Sequence, residues 1–324
     1  MTQIDILYGA EQPGQRNGLT ESPVWDDRRQ CWFWIDIPNR RVHRHSDSEH
    51  RIWQLPDDDA YDPGAIALTE ENDLLVALRA GIAQFNPDQA AGDIAPKILI
   101  PAPYDIATTR FNDGGVDQQG RWWIGSLFAP KTRAGAGLYC LERGRLHAVL
   151  GEQANAEPYQ SWGVTTANGW AISPDSQTLY HGDTQAHTVY RYDFAADASV
   201  TSALSNRRVF FQTEDMRNNP NPTEPYQGRS DGAVVDSAGN YWSALFEGGQ
   251  IVQIAPDGTV LQKIALPAKC PTMLCFGDAD LKTLIITTAG TRPAAELIEF
   301  SANGTILKLR VDTAGLPTRR HLNQ

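Results

Sequence analysis

The chain has 324 residues and a formal net charge of -11, with 28 Lys and Arg against 39 Asp and Glu. This acidic balance excludes nucleic acid and anionic membrane surfaces as expected partners, because both bind basic patches. Four cysteines are too few for a disulfide scaffold, no apolar run reaches the roughly 18 residues of a membrane span, and the N-terminal residues lack a signal-peptide pattern. We therefore expect a cytoplasmic protein with reduced thiols, and the sequence carries no signal for an oligomeric state.

A repeated unit indicates the fold. The 27 Gly and 20 Pro interrupt the chain too often for long helices. An apolar segment, a polar turn and a β-rich second strand recur six times, and the second strands begin near residues 31, 74, 121, 178, 240 and 283. Six units of about four short strands predict an all-β protein, a six-bladed β-propeller of four-stranded antiparallel blades. We expect residues 1–324 to form one such domain; a pair of β-sandwiches is the alternative.

The first strand of each unit opens on a residue that is expected to face the central channel. In chain order these residues are Glu21, Gly64, Asn112, Asn168, Asp231 and Thr272. Two carboxylates and two amides among them carry oxygen ligands that suit Ca²⁺, Mg²⁺ or Mn²⁺ better than a structural zinc. Each residue alone is also a common turn former, so the prediction depends on the shared position in distant repeats.

A second candidate site lies just before the fifth unit. The run from Gly228 to Gly232 fits the pattern G-x-S-x-G, in which the serine is a nucleophile between a strand and a helix. Here a loop rich in Asn and Pro, 217–227, precedes Ser230 and an apolar strand follows it. We therefore do not expect a nucleophilic Ser230. The loop is either a lid over the channel mouth or an insertion without a function.

Four runs of this sequence resemble the SMP-30/gluconolactonase/regucalcin family in order between residues 19 and 300. They are Glu21-Ser-Pro-Val-Trp, the run from Arg110 to Arg121, the run from Asn168 to Ser176, and Ser230-Asp-Gly. The resemblance implies a six-bladed propeller that holds one divalent cation in its channel and hydrolyses sugar lactones. It also implies Glu21, Asn168 and Asp231 as metal ligands, and Arg110 and Asn112 as substrate-binding residues. The implied cation is Ca²⁺ first, with Zn²⁺, Mn²⁺, Mg²⁺ or Fe²⁺ as alternatives.

The sequence departs from this family pattern at two places. Ser230 stands where many relatives have proline, and the loop 128–137 lacks the carboxylate that some relatives have there. Substrate preference therefore does not follow from the resemblance.

The predicted function is a metal-dependent hydrolase that opens a small aldonolactone, such as a pentono- or hexonolactone, to the aldonic acid. The cation would polarise the carbonyl and stabilise the oxyanion, and Asp231 would accept a proton from the attacking water. The ligand carboxylates make the site net negative, which favours a neutral lactone over a phosphorylated one. The alternatives are an esterase or organophosphatase that uses the same site, and a metal-binding or scaffolding propeller without turnover.

Overall fold

The structure is a computed structural model that describes residues 3–9, 16–89, 92–215 and 225–323. Within these residues, 24 strands form six four-stranded sheets. In chain order the strands are β1 (Ile4–Tyr8), β2 (Thr20–Asp26), β3 (Cys31–Asp36), β4 (Arg41–His45), β5 (His50–Gln54), β6 (Pro63–Leu68), β7 (Leu74–Leu78), β8 (Gly81–Phe85), β9 (Ile98–Pro101), β10 (Thr109–Val116), β11 (Trp122–Phe128), β12 (Leu138–Glu142), β13 (Arg145–Leu150), β14 (Ala167–Ile172), β15 (Thr178–Asp183), β16 (Thr188–Phe194), β17 (Leu204–Gln212), β18 (Arg229–Val235), β19 (Tyr241–Phe246), β20 (Gln250–Ile254), β21 (Val260–Ala265), β22 (Pro271–Gly277), β23 (Thr283–Thr288) and β24 (Ile306–Arg310).

The six sheets are the blades of a propeller. Blades 1 to 5 each consist of four consecutive strands, starting with β2, β6, β10, β14 and β18, and blade 6 combines β22, β23, β24 and β1. Neighbouring strands in every blade are antiparallel, and the first strands of adjacent blades contact one another around a closed ring. The predicted six-bladed β-propeller is confirmed, and the six second strands begin within one residue of the predicted positions.

Helices contribute little to this architecture. The described residues contain one short α-helix, α1 (Ala294–Glu299), and three single-turn 3₁₀ helices, Asp59–Tyr61, Gln160–Trp162 and Val200–Ser202. Across the described ranges, no helix has the length and apolar character needed to cross a membrane.

The hydrophobic core lies between the blades, because successive residues of each second strand point to opposite faces of their sheet. In β11, Trp122 packs in a cluster with blade 2, whereas its neighbour Trp123 packs in a cluster with blade 4. The same alternation in β19 sends Tyr241 towards blade 4 and Trp242 towards blade 6. Each of these fully buried aromatic side chains stabilises the fold by about 2–3 kcal/mol through burial alone. The aromatic second strands therefore hold adjacent blades together.

The last residues of the described chain, 311–323, form what we call the C-terminal strap. The strap crosses the lower end of the propeller, which is the end at which the first strands of the blades finish. Its hydrogen bonds reach blades 6, 5, 1, 2 and 3, through Val311 to Lys282, Gly315 to Leu281, Ser237 to Ala314, Thr318 to Trp25, Arg320 to Asp26, His321 to Leu68, Glu70 to His321 and Leu322 to Gly120.

An apolar cavity of about 180 Å³ lies in the lower half of the channel, between the inner strands and the strap. Ile66, Val116, Trp170 and Met273 are among the side chains on its walls, and Leu316 of the strap contributes to its lower side. Most of its lining is apolar and offers few hydrogen-bond partners to water. The lower half of the channel is therefore less polar than the upper half.

Candidate functional site

Every inner strand has a β-bulge near its first residues, at the upper end of the channel. The ladder between the first and second strands shifts register at the equivalent point in all six blades, between Glu21 and Val24, Pro63 and Ala65, Asn112 and Gly114, Asn168 and Ala171, Ser230 and Ala233, and Pro271 and Leu274. A bulge interrupts the regular alternation and turns side chains out of the sheet. The residues that the sequence places at the channel all lie at or next to these bulges.

Four of these residues form what we call the acid–amide ring: Glu21, Asn112, Asn168 and Asp231. All four are buried, with 4–9% of their surface exposed. They come from blades 1, 3, 4 and 5, so the fold gathers residues that lie far apart in sequence. The charge of Asp231 raises the pKa of Glu21, and a hydrogen bond with Asn168 lowers the pKa of Asp231, so these residues of blades 1, 4 and 5 lie near one another.

The remaining two blades contribute no free oxygen ligand at this level. Gly64 of blade 2 packs so closely on blade 3 that a Cβ atom would lie 2.1 Å from the carbonyl oxygen of Phe111. Thr272 of blade 6 donates its hydroxyl to the carbonyl oxygen of Thr20 at 2.6 Å. Five of the six positions thus carry a side-chain oxygen, and the hydroxyl of Thr272 is engaged with Thr20, which leaves the four acid and amide side chains.

A chain of hydrogen bonds fixes the two amides of the ring. Arg110 donates to Oδ1 of Asn112 at 2.8 Å, and Nδ2 of Asn112 donates to Oδ1 of Asn168 at 2.8 Å. Nδ2 of Asn168 then donates to Thr184 at 2.7 Å, and Thr184 donates to the carbonyl oxygen of Ser230. The direction of these bonds leaves a lone pair on Oδ1 of Asn168, because a carbonyl oxygen accepts two hydrogen bonds.

The carboxylates of the ring are held in an environment that disfavours their ionised form. Burial raises the pKa of Glu21 well above its ordinary value, and the charges of Asp231 and Asp113 raise it further. Burial and the charge of Asp113 likewise raise the pKa of Asp231, against smaller opposing effects of Arg229 and Arg110. Removing a carboxylate from water is costly unless a cation or hydrogen bonds compensate for it. A bound cation would therefore stabilise the buried carboxylates of the upper channel.

Asp113 is a third buried carboxylate that the sequence analysis did not single out. Its Oδ2 accepts a hydrogen bond from the backbone N–H of Trp170 at 3.0 Å, whereas its Oδ1 has no partner within the described residues. Burial raises the pKa of Asp113 to about 7. The available signal was its position directly after Asn112, but a single Asn-Asp-Gly run is equally typical of a turn.

Arg110 lies beside the ring, at the upper end of β10. Its Nη1 also donates to the carbonyl oxygen of Phe111 at 2.8 Å, and it forms no salt bridge with any described residue. The guanidinium group is therefore oriented by its own strand and keeps further donors for a ligand.

The fifth blade does not contain a nucleophile elbow. Ser230 lies inside β18, between its neighbours in an antiparallel ladder, and β18 leads through a turn to β19 rather than into a helix. This geometry agrees with the expectation that Ser230 is not a nucleophile. Of the candidate lid, residues 217–224 lie outside the described residues.

The ring is chemically suited to a hard divalent cation. No three His, Cys, Asp or Glu side chains of the described ranges gather as a ready metal site; the candidate set instead combines two carboxylates with an amide oxygen. Glu21 and Asp231 supply two negative charges with little compensation, and Asn168 supplies a neutral oxygen. Hard cations bind such oxygen sets, and a bound cation would relieve the repulsion between the carboxylates.

A family model for the SMP-30/Gluconolactonase/LRE-like region matches residues 19–290. The chain belongs to this family. The resemblance seen in the sequence motifs is thereby confirmed. Glu21, Arg110, Asn112, Asn168 and Asp231 all lie within the matched region.

Two relatives within this family are similar over almost the whole chain. A 6-deoxy-6-sulfogluconolactonase of Pseudomonas putida is 36% identical over 305 residues, which cover 93% of this chain and 94% of the relative. A pentonolactonase of Haloferax volcanii is 32% identical over 307 residues, with 93% and 94% coverage. These two proteins differ from each other in the sugar that their names give.

Solved structures of the family type share the fold. A luciferin-regenerating enzyme superposes with a TM-score of 0.81 at 21% identity, covering 99% of this chain and 100% of that one. A calcium-binding regucalcin of Agrobacterium tumefaciens superposes with a TM-score of 0.78 at 19% identity, covering 94% of each chain. At these identities the comparison supports the propeller fold alone.

Proposed function

We propose that this protein is a divalent-cation-dependent hydrolase that opens a sugar lactone to its aldonic acid. One observation carries the proposal: two buried carboxylates and two hydrogen-bonded amides lie at equivalent β-bulges, and burial raises the pKa of both carboxyl groups despite the opposing charge of Arg110. The relatives named as sugar lactonases support the choice of substrate class.

Glu21, Asn168 and Asp231 would hold the cation, which we propose to be Ca²⁺ before Zn²⁺, Mn²⁺, Mg²⁺ or Fe²⁺. Carboxylate and amide oxygens favour hard ions, and the absence of sulfur and imidazole from the set argues against a site built for zinc. When bound, such a cation supplies Lewis acidity that polarises a lactone carbonyl.

Arg110 and Asn112 would bind and orient the lactone. Asn112 is held by Arg110 on one side and bonded to Asn168 on the other, so a ligand that contacts it is placed beside the cation ligands. The Arg110 guanidinium group is already oriented by its own strand, and a donor that needs no reorganisation during the reaction stabilises developing negative charge. Asp231 would accept the proton of the attacking water, as a carboxylate within hydrogen-bond reach of that water can.

A panel of pentono- and hexonolactones tests this function. Lactone opening would be followed as acid release at constant pH, with the spontaneous rate subtracted, before and after dialysis against a chelator. We expect at least a hundredfold loss of turnover on chelation and its recovery with Ca²⁺ or another divalent cation. No lactone opening above the blank in the presence of any of these cations would refute the proposal.

Two further predictions from the sequence stay predictions. They are the organisation of residues 1–324 as one domain and a cytoplasmic location.

A further inference from the structure

A second arginine, Arg229, occupies the same position in blade 5 as Arg110 does in blade 3. Arg229 lies two residues before Asp231, and Arg110 lies two residues before Asn112. The equivalent residues of the other four blades are Leu19, Asp62, Thr166 and Cys270. Blades 3 and 5 therefore each place a guanidinium group at the entrance to the acid–amide ring.

The side chain of Arg229 is held in place by two neighbours. Its Nη2 donates to Oε2 of Glu247 at 2.8 Å, and its guanidinium carbon lies 5.3 Å from the centre of the Phe246 ring. Arg292 binds the other oxygen of Glu247 and lies over the same ring at 5.5 Å. Two arginines thus flank Phe246 and share one carboxylate, which restricts the movement of both.

Arg229 keeps unused hydrogen-bond donors despite this anchoring. Its Nε is buried without a partner among the described residues, and Nη1 forms no hydrogen bond there. The side chain as a whole is 18% exposed. An arginine that is held in place by a carboxylate and keeps a donor without a hydrogen bond can bind an oxygen of an anion with little loss of side-chain entropy.

The charge on the two sides of the channel mouth differs. Near blades 1 and 2, Arg40 forms salt bridges with three aspartates, Asp57, Asp59 and Asp62, and Arg79 also binds Asp62. Near blades 3 and 5, Arg110 has no salt bridge within the described residues, and Arg229 shares its only carboxylate. A divalent cation on Glu21 and Asp231 would cancel their two negative charges. Arg110 and Arg229 would then no longer face the charges of these two carboxylates, and Asp113 and the shared Glu247 would remain beside them.

We propose that Arg229, together with Arg110, binds an anionic substituent of the lactone, a tetrahedral oxyanion such as sulfonate or phosphate at the end of the sugar distant from the carbonyl. This inference rests on the proposed lactonase function and names the substrate class within it. The sequence predicted a neutral lactone, because the ring carboxylates are negative. Arg229 adds a positive charge that this prediction did not include. Guanidinium groups suit this role because their paired N–H donors match the oxygens of such anions.

The test compares glucono-1,5-lactone with its 6-phospho and 6-deoxy-6-sulfo counterparts, using the cation-loaded protein. We expect the unaltered protein to prefer at least one anionic lactone by about tenfold or more in kcat/KM. In Arg229→Gln, kcat/KM for that lactone should fall about tenfold or more, mainly through KM, and kcat/KM for the neutral lactone should fall much less. The ratio between the sulfo and phospho lactones identifies which anion the site prefers.

Arg292→Gln is the matched control, because it removes the same charge from the same ion-pair chain but lies outside the inner strands. It should change kcat/KM for the anionic lactone by less than about threefold, and Arg229→Lys should restore only part of the loss in Arg229→Gln. Should Arg229→Gln not fold, product inhibition of the unaltered protein tests whether the site prefers an anionic substituent. The sulfonated or phosphorylated acid should then inhibit at least tenfold more strongly than gluconate.

The outcomes separate this inference from the proposed function. Equal kcat/KM for neutral and anionic lactones, or equal losses in Arg229→Gln and Arg292→Gln, would overturn the role of Arg229 and leave the lactonase standing. Failure to open any of the three lactones would overturn both.

Discussion

The two ends of strand β2 carry buried carboxylates with opposite properties. Asp26, at the lower end, is fully buried and binds both Arg29 and Arg320. Glu21, at the upper end, is almost as buried but faces Asp231 and Asp113, and Arg110 and a backbone hydrogen bond at Ser22 oppose their effect on its pKa only in part. The pKa of Asp26 is lowered, because its hydrogen bonds outweigh the effect of burial, whereas the pKa of Glu21 is raised. Burial alone therefore does not distinguish a structural carboxylate from a candidate ligand; the balance of partners does.

The same contrast extends to the two halves of the channel. At the lower end, the C-terminal strap borders an apolar cavity, and the buried Asp26 is paired with Arg29 and Arg320. At the upper end, charged groups are left unpaired at the bulges. The burial of charge is thus most unfavourable around Glu21 and Asp231, where a bound cation would reduce the repulsion. At the lower end, the buried Asp26 has charged partners.

The largest expected effect is at the upper end. We expect Glu21→Gln and Asp231→Asn each to lower cation affinity and lactone turnover by about a thousandfold or more, since both remove a ligand charge at nearly constant volume. The chelated Glu21→Gln protein should be no less stable than the unaltered chelated protein, because the substitution removes repulsion. Calorimetric titration with Ca²⁺, turnover assays and urea unfolding would measure these quantities. Full cation occupancy in either variant would show that the ring is not the site.

The lower end should respond through stability rather than activity. Arg320→Gln leaves Asp26 with one partner fewer in a buried position, and we expect a loss of about 2–4 kcal/mol in the free energy of unfolding. Arg310→Gln is the matched control, because Arg310 pairs with Asp280 on the surface and is 57% exposed. It should cost less than about 1 kcal/mol. Urea unfolding of the cation-loaded proteins would compare them, and equal losses would contradict the contrast.

The smallest expected effect is the pH dependence of the stability that Asp26 contributes at the lower end. Because the pKa of folded Asp26 lies below its ordinary value, its contribution to stability is fully present above about pH 4 and is lost as the pH falls through the folded pKa. The difference in unfolding free energy between the unaltered protein and Asp26→Asn should therefore be constant from pH 5 to 7 and shrink towards pH 3. A difference that does not change over this range would show that the charge of Asp26 contributes nothing.

The blade pattern was accessible from the sequence because aromatic second strands and polar turns recur at similar spacing. Cys31, Leu74, Thr178 and Thr283 begin strands at the predicted residues. This success has a local cause: alternation within one strand is encoded by adjacent residues, and Trp122 and Trp123 illustrate it. The opening residues of the inner strands could be aligned in the same way.

Other features depend on contacts between distant segments. A bulge is a property of two paired strands. The sequence of β2 alone therefore does not show that the register shifts next to Glu21. Asp113 has a raised pKa because the folded chain buries it, and Arg229 is held by Phe246 at the end of β19 and by Glu247 directly after it. The C-terminal strap has no strand periodicity and gains its order from five different blades. Single-sequence patterns do not report such partners.

The pairing of β1 with β24 has a consequence for how the chain folds during synthesis. Ile4 is opposite Leu309, so the first strand made must wait for one of the last before blade 6 can form. At typical ribosomal rates this delay is on the order of 15–60 s. Throughout that interval β1 is an unpaired strand, and the outer edge of β23 joins it once β23 has been made; unpaired strand edges are the elements most prone to intermolecular association. Ring closure thus makes the pairing of β24 with β1 and β23, rather than the formation of any of blades 1 to 5, the step that ends the exposure of these edges.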